Sequence, residues 1–148
     1  KHLSNILPDD KPRYLMGVGK PEDIVEAVFF GVEMFDCVLP TRNARNGQLI
    51  TSTGVINIRN AKYKNDDSPI DENLDSKVCK NYSKAYLHHL DKTNEMLGSM
   101  LASYHNIYYY HDLMRQIRQS IEDDIFVNFA KDFYNNRNLP IPDYLEGL

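Results

Sequence analysis

The sequence predicts an α/β fold in which one β–α–β unit is followed by a β-hairpin and then by helices. Three observations support this prediction. Two short apolar strands flank a helix within the first forty residues, Thr-Gly separates two apolar arms, and apolar residues recur at helical spacing in the second half. The chain has 148 residues, which is enough for a domain with a core of its own.

The first forty residues have the pattern strand, helix, strand. Arg13–Val18 is an apolar strand, Pro21 suits the first turn of a helix, and residues 35–39 form a second apolar strand. This order favours two parallel strands joined by a right-handed crossover. Because one such unit leaves its sheet edges open, we expect additional strands to complete the sheet.

The second strand carries one carboxylate, Asp36, which we expect to lie among buried neighbours. Pro40 then ends the strand, and we expect a loop that carries Arg42 and Arg45. An aspartate at a strand end is commonly a turn or capping residue, and arginines in a loop are commonly solvated surface charges. A carboxylate facing a cationic loop also suits attack on a polyanionic substrate, so both interpretations stay open at this point.

The rest of the chain predicts a hairpin and then helices. Residues 49–58 have two apolar arms around Thr53-Gly54, which is a hairpin signal. Residues 64–72 are polar and predict a connection without a core, and Ser120 with Asp123 predicts a capping box that restarts a helix. The predicted buried face of the preceding helix consists of Ile107, Tyr110, Met114, Ile117 and Ile121. We divide the chain into residues 1–60 and 61–148.

The composition of the chain argues against some classes of binding partner. A net charge of −4 argues against binding nucleic acid through overall charge, although a local basic patch in the first third stays open. Two cysteines make no disulfide framework, and no apolar run is long enough to cross a bilayer. We therefore expect a cytoplasmic protein with no membrane partner. The residues of the basic patch are Lys11, Arg13, Lys20, Arg42 and Arg45.

Two segments carry a family resemblance. Residues 35–47, Phe-Asp-Cys-Val-Leu-Pro-Thr-Arg-Asn-Ala-Arg-Asn-Gly, resemble the nucleophile motif of the bacterial tRNA-guanine transglycosylases, which exchange an anticodon guanine for a 7-deazaguanine. Residues 13–23, Arg-Tyr-Leu-Met-Gly-Val-Gly-Lys-Pro-Glu-Asp, resemble the strand, Gly-rich turn and helix start that precede this motif in that family. The resemblance covers essentially the whole chain.

The resemblance implies the C-terminal portion of a (β/α)8 TIM barrel, with an inserted β-hairpin, a degenerate zinc subdomain and C-terminal helices. The chain starts at Lys1 without a Met, and we expect it to be part of a longer protein. The implied activity is that of a pentosyltransferase. Two β/α units cannot enclose a pocket and the family's second carboxylate has no counterpart here, so we expect the isolated chain to be inactive without the N-terminal barrel portion.

The resemblance also implies residue roles. Asp36 would attack C1′ of the ribose at the wobble position of a tRNA with a GUN anticodon, displacing guanine in favour of preQ1. Tyr14, Met16 and Gly17 would line the base pocket, and Lys20, Asp23, Arg42 and Arg45 would hold the anticodon loop. From the residues alone, the favoured interpretation is that Tyr14 and Met16 belong to a strand core and that Gly17 belongs to a turn. Strand alternation turns Cys37 away from Asp36, so we expect it to be a packing residue.

The zinc ligands of the family are only half present. The family binds structural zinc with Cys-x-Cys-x-x-Cys and a later His, and the matching positions here are Leu74, Ser76, Cys79 and His105. Leucine cannot bind zinc and serine is a poor substitute for a thiolate, so we expect zinc to bind weakly or not at all. Asp75 could supply one oxygen, and Leu74 could fill the vacated space.

The segment Tyr82–Leu90 resembles the helix through which the family forms homodimers. Aromatic residues on one helical face are common in interfaces and equally common in cores. A different class of function also stays open, namely a non-catalytic tRNA-binding or dimerisation module. A third reading is a fragment that has no function of its own.

Overall fold

The structure is a computed structural model that describes residues 2–147. The chain divides into two compact units, Lys1–Leu39 and Pro40–Leu148. Within the described residues, no helix combines the length and the apolar character that a membrane crossing needs. The hairpin, which the sequence-based division grouped with the first sixty residues, lies in the second unit.

The first unit contains the expected β–α–β arrangement. After a 3₁₀ turn at Leu3–Asn5 come strand β1, Tyr14–Met16, helix α1, Pro21–Phe29, and strand β2, Met34–Asp36. The two strands pair in parallel, with Met16 opposite Asp36. Helix α1 starts with a proline, which suits a first turn because an N–H there has no intrahelical partner. Two acidic residues follow, and their negative charges interact favourably with the N-terminal end of the helix dipole.

The two faces of this strand pair differ in exposure. Leu15 and Phe35 are half-buried, whereas the alternate residues of both strands are exposed. The register puts these exposed residues on one face, because opposite residues of paired strands point the same way. They are Tyr14, Met16, Met34 and Asp36. The expectation that Asp36 lies among buried neighbours is therefore wrong.

The second unit combines a hairpin with helices. Helix α2, Leu39–Arg45, starts at the last residue of the first unit and leads to strands β3, Gln48–Thr51, and β4, Gly54–Asn57. The strands are antiparallel and two residues connect them, as the hairpin signal predicted. The helices that follow are α3, Lys77–Asn81, α4, Lys84–Lys92, α5, Met96–Glu122, and α6, Phe126–Asn136, with 3₁₀ turns at Ala61–Tyr63 and Asp143–Leu145.

The core of the second unit forms where β3 packs on α5. Leu49, Ile50 and Ile117 are each 1% exposed or less. A buried amide, that of Asn106 on α5, joins the two elements: its Oδ1 accepts from the Ile50 N–H at 2.9 Å. Its Nδ2 donates to the carbonyls of Pro40 and Gln48 at 2.9 and 3.0 Å. Buried polar groups thus attach the hairpin to the long helix.

The buried face of α5 differs from the predicted one. Ile107 and Ile121 are 41% and 52% exposed, so the predicted apolar stripe is wrong at these positions. Polar residues take part of the buried face because they bond to the hairpin. The buried residues of α5 are Gly98, Ala102, His105, Asn106, Tyr109, Leu113, Ile117 and Ser120.

Two further expectations are corrected in this unit. Ser120 does not cap a new helix: α5 runs on to Glu122, and the Ser120 hydroxyl donates to the Ile117 carbonyl at 2.7 Å. The polar connection 64–72 does contribute to the core, because Ile70 and Asp71 are buried. The Asp71 carboxylate accepts from the N–H and the hydroxyl of Ser52 at 2.6 and 2.9 Å, which ties the connection to the hairpin turn.

Candidate functional site

Asp36 ends strand β2 with its carboxylate exposed on the open face of the strand pair. The Gly17 N–H donates to Asp36 Oδ1 at 2.9 Å and to the Asp36 main-chain carbonyl at the same distance. One amide therefore fixes both the strand end and one carboxylate oxygen. The carboxylate is oriented by the backbone of the neighbouring strand, and its exposure leaves it accessible to a ligand.

Tyr14 is the second partner of this carboxylate. Hydrogen bonding to Asp36 raises the pKa of the Tyr14 hydroxyl, with burial and the nearby negative charge adding to the effect. The hydroxyl therefore stays a proton donor toward Asp36 at neutral pH. Tyr14 and the Gly17 N–H both orient the Asp36 carboxylate, which suits a group that has to act as a nucleophile.

Met16 and Gly17 lie beside this pair. Met16 is 74% exposed and stands opposite Asp36 in the strand register. Gly17 has φ +78°, a conformation that favours glycine, and a Cβ there would meet nothing within 4 Å. The strand-core interpretation of Tyr14 and Met16 does not hold within the first unit, since both side chains are exposed. A thioether and an aromatic ring on an open face suit contact with a flat base.

Lys20 and Asp23 lie at the start of helix α1, and both are exposed. Lys20 is the N-cap residue, and its carbonyl accepts from the Ile24 N–H at 3.0 Å. Asp23 lies in the first turn, where a negative charge is favourable. The side chains of both residues therefore point to solvent at the end of the helix that follows the Gly-rich turn.

Arg42 and Arg45 lie on helix α2, so the expectation of a loop after Pro40 is wrong. Proline is tolerated in the first turn of a helix, where its missing N–H has no intrahelical partner. Both arginines are exposed, and a spacing of three places them on the same side of a helix. Helical geometry thus presents two guanidinium groups as a pair, which a loop would not ensure.

Sequence reasoning missed Gly19, which is buried in the first unit. A Cβ at this position would lie 1.8 Å from Cys37 Sγ and 2.8 Å from Cys37 Cβ. Glycine is therefore required for the thiol of Cys37 to pack against the turn that follows β1. The contact fits the prediction that Cys37 is a packing residue, and the glycine pair around Val18 was the available signal for it.

The four positions that match the family's zinc ligands lie close together in the second unit. Cys79 Sγ is 3.6 Å from His105 Nδ1, and His105 Nε2 is 2.8 Å from the Ile50 carbonyl oxygen. Ser76 is the N-cap of α3, where its Oγ accepts from the Cys79 N–H at 3.1 Å. Leu74 is buried, with 6% of its surface exposed.

Burial shifts both titratable groups toward their neutral forms. It raises the pKa of the Cys79 thiol, and hydrogen bonds from Ser76 and the Asp71 backbone oppose it only partly. It lowers the pKa of His105, against the opposing effect of the Ile50 carbonyl. A tetrahedral zinc site needs four good donors, and this set offers one thiol and one imidazole. Within the described residues, no group of three or more His, Cys, Asp or Glu could hold a metal ion.

The remaining segment that the sequence singled out is helix α4. Tyr82 precedes the helix and ends α3, so the predicted Tyr82–Leu90 helix in fact starts at Lys84. The Tyr82 and Tyr86 rings still stack, with centroids 5.5 Å apart. Tyr86 and His89 are exposed, and the buried residues of the helix are Leu87, His88 and Leu90. Of this aromatic pair, Tyr86 is exposed and Tyr82 is half-buried.

Comparisons with a family model and with individual known proteins all point to the same family. The family model described as queuine tRNA-ribosyltransferase matches residues 1–139. The queuine tRNA-ribosyltransferase of Haemophilus ducreyi is 61% identical over 137 residues, which cover 93% of this chain and 36% of that protein. Those of Vibrio vulnificus and Idiomarina loihiensis are 57% and 56% identical over 142 residues, 96% of this chain and 38% of theirs. The chain therefore spans less than two-fifths of the length of these relatives.

Proposed function

Because the chain belongs to the queuine tRNA-ribosyltransferase family, we propose that it supplies the nucleophile and part of the tRNA-binding surface of a tRNA-guanine transglycosylase. The observation that supports this most is the exposed carboxylate of Asp36, held at a strand end by the Gly17 N–H. In this role the protein is a pentosyltransferase of queuosine biosynthesis that exchanges guanine at the anticodon wobble position for preQ1.

Asp36 acts by covalent catalysis. A carboxylate oxygen attacks C1′ of the ribose, and the bond from C1′ to guanine breaks with its electron pair leaving on the base. The base takes up a proton from an acid outside this chain. A ring nitrogen of preQ1 then attacks C1′, gives its proton back to that same group and expels the Asp36 carboxylate, which restores the enzyme. This two-step logic is that of a retaining glycosidase.

Tyr14, Met16 and Gly17 form one wall of the base pocket. Tyr14 and Met16 share the open strand face with Asp36, and the open space beside Gly17 lets the base approach the backbone. Tyr14 also donates to the nucleophile, so it serves both the base and the carboxylate. The pocket is one-sided here, because two strands cannot surround a base.

Exposed charged residues in each of the two units are the proposed contacts to tRNA. Arg42 and Arg45 can bond to phosphates or base edges in a planar, forked manner that lysine cannot reproduce. The unpaired bases of an anticodon loop of sequence GUN expose the edges that such groups read. The proposed tRNA-binding residues are Lys20, Asp23, Arg42 and Arg45, all of them exposed.

The remaining part of the enzyme completes the site. In this proposal β1 and β2 are neighbouring strands of a (β/α)8 barrel, and the open edges of the pair suit that role. The isolated chain is then inactive, since it lacks the rest of the barrel and the second carboxylate. The Tyr82–Leu90 segment joins two copies as a homodimer, and the enzyme works in the cytoplasm on its tRNA substrate.

A non-catalytic tRNA-binding or dimerisation module is the second candidate. The replacement of two zinc ligands favours it, because a changed subdomain suits a changed role. The open carboxylate at Asp36 disfavours it, since a binding module has no use for a nucleophile oriented by a backbone amide. Activity therefore separates the two candidates.

The test is incorporation of radiolabelled guanine into a tRNA with a GUN anticodon. The complete enzyme, assembled from this chain and the rest of the barrel, should exchange guanine, and Asp36→Asn should lower the rate at least about 10³-fold. Asp10→Asn, the same change at an exposed aspartate outside the site, should leave the rate unchanged. The chain alone should show no exchange.

The alternative outcomes are distinct. Exchange that survives Asp36→Asn would exclude Asp36 as the nucleophile. Robust exchange by the chain alone would contradict the need for further barrel strands. No exchange in any mixture of folded protein, with tRNA still bound, would favour the non-catalytic module.

A further inference from the structure

We propose that Leu74, Ser76, Cys79 and His105 form a metal-independent core, in which a thiol–imidazole hydrogen bond replaces the metal crosslink that the family resemblance implies. The inference rests on the contacts of these side chains and on family membership. It does not depend on the proposed activity, because its readouts are metal content and stability. It concerns the second unit alone.

Hydrogen-bond partners assign the protons of the pair. The Ile50 carbonyl can only accept, so His105 Nε2, at 2.8 Å, carries a proton. In a neutral imidazole Nδ1 is then an acceptor, and the Cys79 thiol 3.6 Å away is its donor. A metal ion would have to displace the thiol proton and break this hydrogen bond, and only one thiol and one imidazole would then be available to hold it.

The side chain of Ser76 has a structural role that needs no metal ion. Its Oγ accepts the Cys79 N–H at 3.1 Å, and the residue is fully buried at the start of α3. Serine is among the preferred N-cap residues, and its loss typically weakens a helix. Ser76 therefore stabilises the start of α3 without a metal ion.

Neither Leu74 nor Asp75 supplies a ligand atom to this core. Leu74 is buried with 6% exposure, so an apolar side chain occupies a position where the family has a ligand. The Asp75 side chain is 78% exposed and forms an ion pair with Lys80, which directs its carboxylate to the surface. The oxygen that Asp75 could have supplied is thus used outside the core.

The experiment measures zinc in the purified protein by elemental analysis after expression in zinc-supplemented medium. Melting temperature is recorded with and without a chelator, and Co²⁺ titration followed by absorbance serves as a thiolate-specific probe. The matched variant is Leu74→Cys combined with Ser76→Cys, which restores the four-ligand pattern. Ser76→Cys alone provides an intermediate with less disruption of the core.

The wild-type protein should contain less than about 0.1 zinc per chain, and the chelator should leave its melting temperature unchanged within about 1 °C. The double variant should gain about one zinc per chain, and the chelator should then lower its melting temperature by several degrees. The Co²⁺ spectrum should show thiolate ligation in the variants only.

Two results would overturn the proposal. One is a stoichiometric zinc in the wild-type protein whose removal lowers the melting temperature. The other is a folded double variant that takes up no zinc, since the two substitutions would then not account for metal independence. If the double variant does not fold, the wild-type zinc content and the Ser76→Cys variant still decide between these outcomes.

Discussion

The two units of the chain differ in how their apolar side chains are covered. In the first unit Tyr14, Met16 and Met34 are 53%, 74% and 48% exposed, although they belong to strands. In the second unit Leu49 and Ile50, also in a strand, are 0% and 1% exposed. A two-stranded sheet is marginal by itself, whereas a hairpin packed on helices has its own core. The strand pair of the first unit therefore leaves large apolar side chains uncovered, whereas strand β3 of the second unit is covered by the helices of its own unit.

The proposed catalytic and base-binding residues and the best-buried core residues therefore lie in different units. The proposed nucleophile and base-pocket residues lie on the open face of the first unit, and the open face is what makes them accessible. The second unit is stabilised by buried apolar and polar contacts on α5. Stability should therefore depend most on the buried contacts of the second unit, and the following predictions rank substitutions in both units by their expected effect on the free energy of unfolding.

The largest effect on stability should come from Ile117→Ala. Ile117 is 1% exposed, so truncation removes buried surface and leaves a cavity, and the free energy of unfolding should fall by about 3–4 kcal/mol. Ile121→Ala, the same change one turn later at a 52% exposed site, should cost less than about 0.5 kcal/mol. Urea unfolding of the complete protein measures both. Equal losses at the two sites would contradict the assigned buried face of α5.

Asn106→Asp should be the next most damaging change. The carboxylate keeps the acceptor for Ile50 N–H but loses both donors to the carbonyls of Pro40 and Gln48, at a cost of about 2–3 kcal/mol. Asn128→Asp at an exposed position of α6 is the matched control and should be nearly neutral. Hydrogen exchange of the β3 amides should accelerate only in the first variant. Unchanged protection would show that the amide does not attach the hairpin.

Gly19→Ala tests the closest packing in the first unit. The new methyl group would collide with Cys37, and the expected cost is about 1–3 kcal/mol. With Cys37→Gly in the background, the nearest remaining atom is Leu39 Cβ at 3.7 Å, so the cost of Gly19→Ala should nearly vanish. A double-mutant cycle by urea unfolding measures this coupling.

Gly17→Ala is the control for that cycle. A methyl group there meets nothing within 4 Å, but φ +78° strains any side chain, so the cost should be about 1 kcal/mol with or without Cys37. Rescue of Gly17→Ala by Cys37→Gly would mean that both glycines act through the same contact. Persistence of the Gly19→Ala cost in the Cys37→Gly background would exclude the collision with Cys37.

The smallest effect should be a pH dependence at Asp66. Hydrogen bonds from the hydroxyl and N–H of Ser68 lower the pKa of Asp66 from its usual 3.8. A lowered folded-state pKa contributes stability above pH 3.8, and that contribution is lost as pH falls through the folded value. Asp66→Asn should therefore lose slightly less stability than wild type between about pH 6 and about pH 3. Parallel curves for the two proteins would show no contribution from Asp66.

Local patterns in the sequence were sufficient for several elements. The β–α–β order, the Pro21 helix start and the hairpin around Thr53-Gly54 all appear in the structure, because turn chemistry and apolar runs act over a few residues. The residues of the proposed site were predicted from the resemblance of residues 13–23 and 35–47 to segments of the family. Their roles remain predictions that the assays above address.

Tertiary contacts decided what local patterns could not. Residues after Pro40 form a helix, since proline fits a first helical turn as well as a loop. Helix α5 buries His105 and Asn106 and exposes Ile107, because bonds to the hairpin outweigh the preference of apolar residues for burial. A hydrophobic pattern alone does not predict which polar side chains will form buried hydrogen bonds.

The sequence by itself indicated the family and the order of most elements, and its resemblance to that family implied that two thiol ligands are replaced. Only the tertiary structure decided that Asp36 is exposed and held by Gly17, and that Cys79 and His105 bond to each other. The physical reason is the separation along the chain over which each kind of interaction acts. Residue type and spacing govern local turns and ligand chemistry, whereas exposure and hydrogen-bond partners depend on residues that meet in space after being separated along the chain.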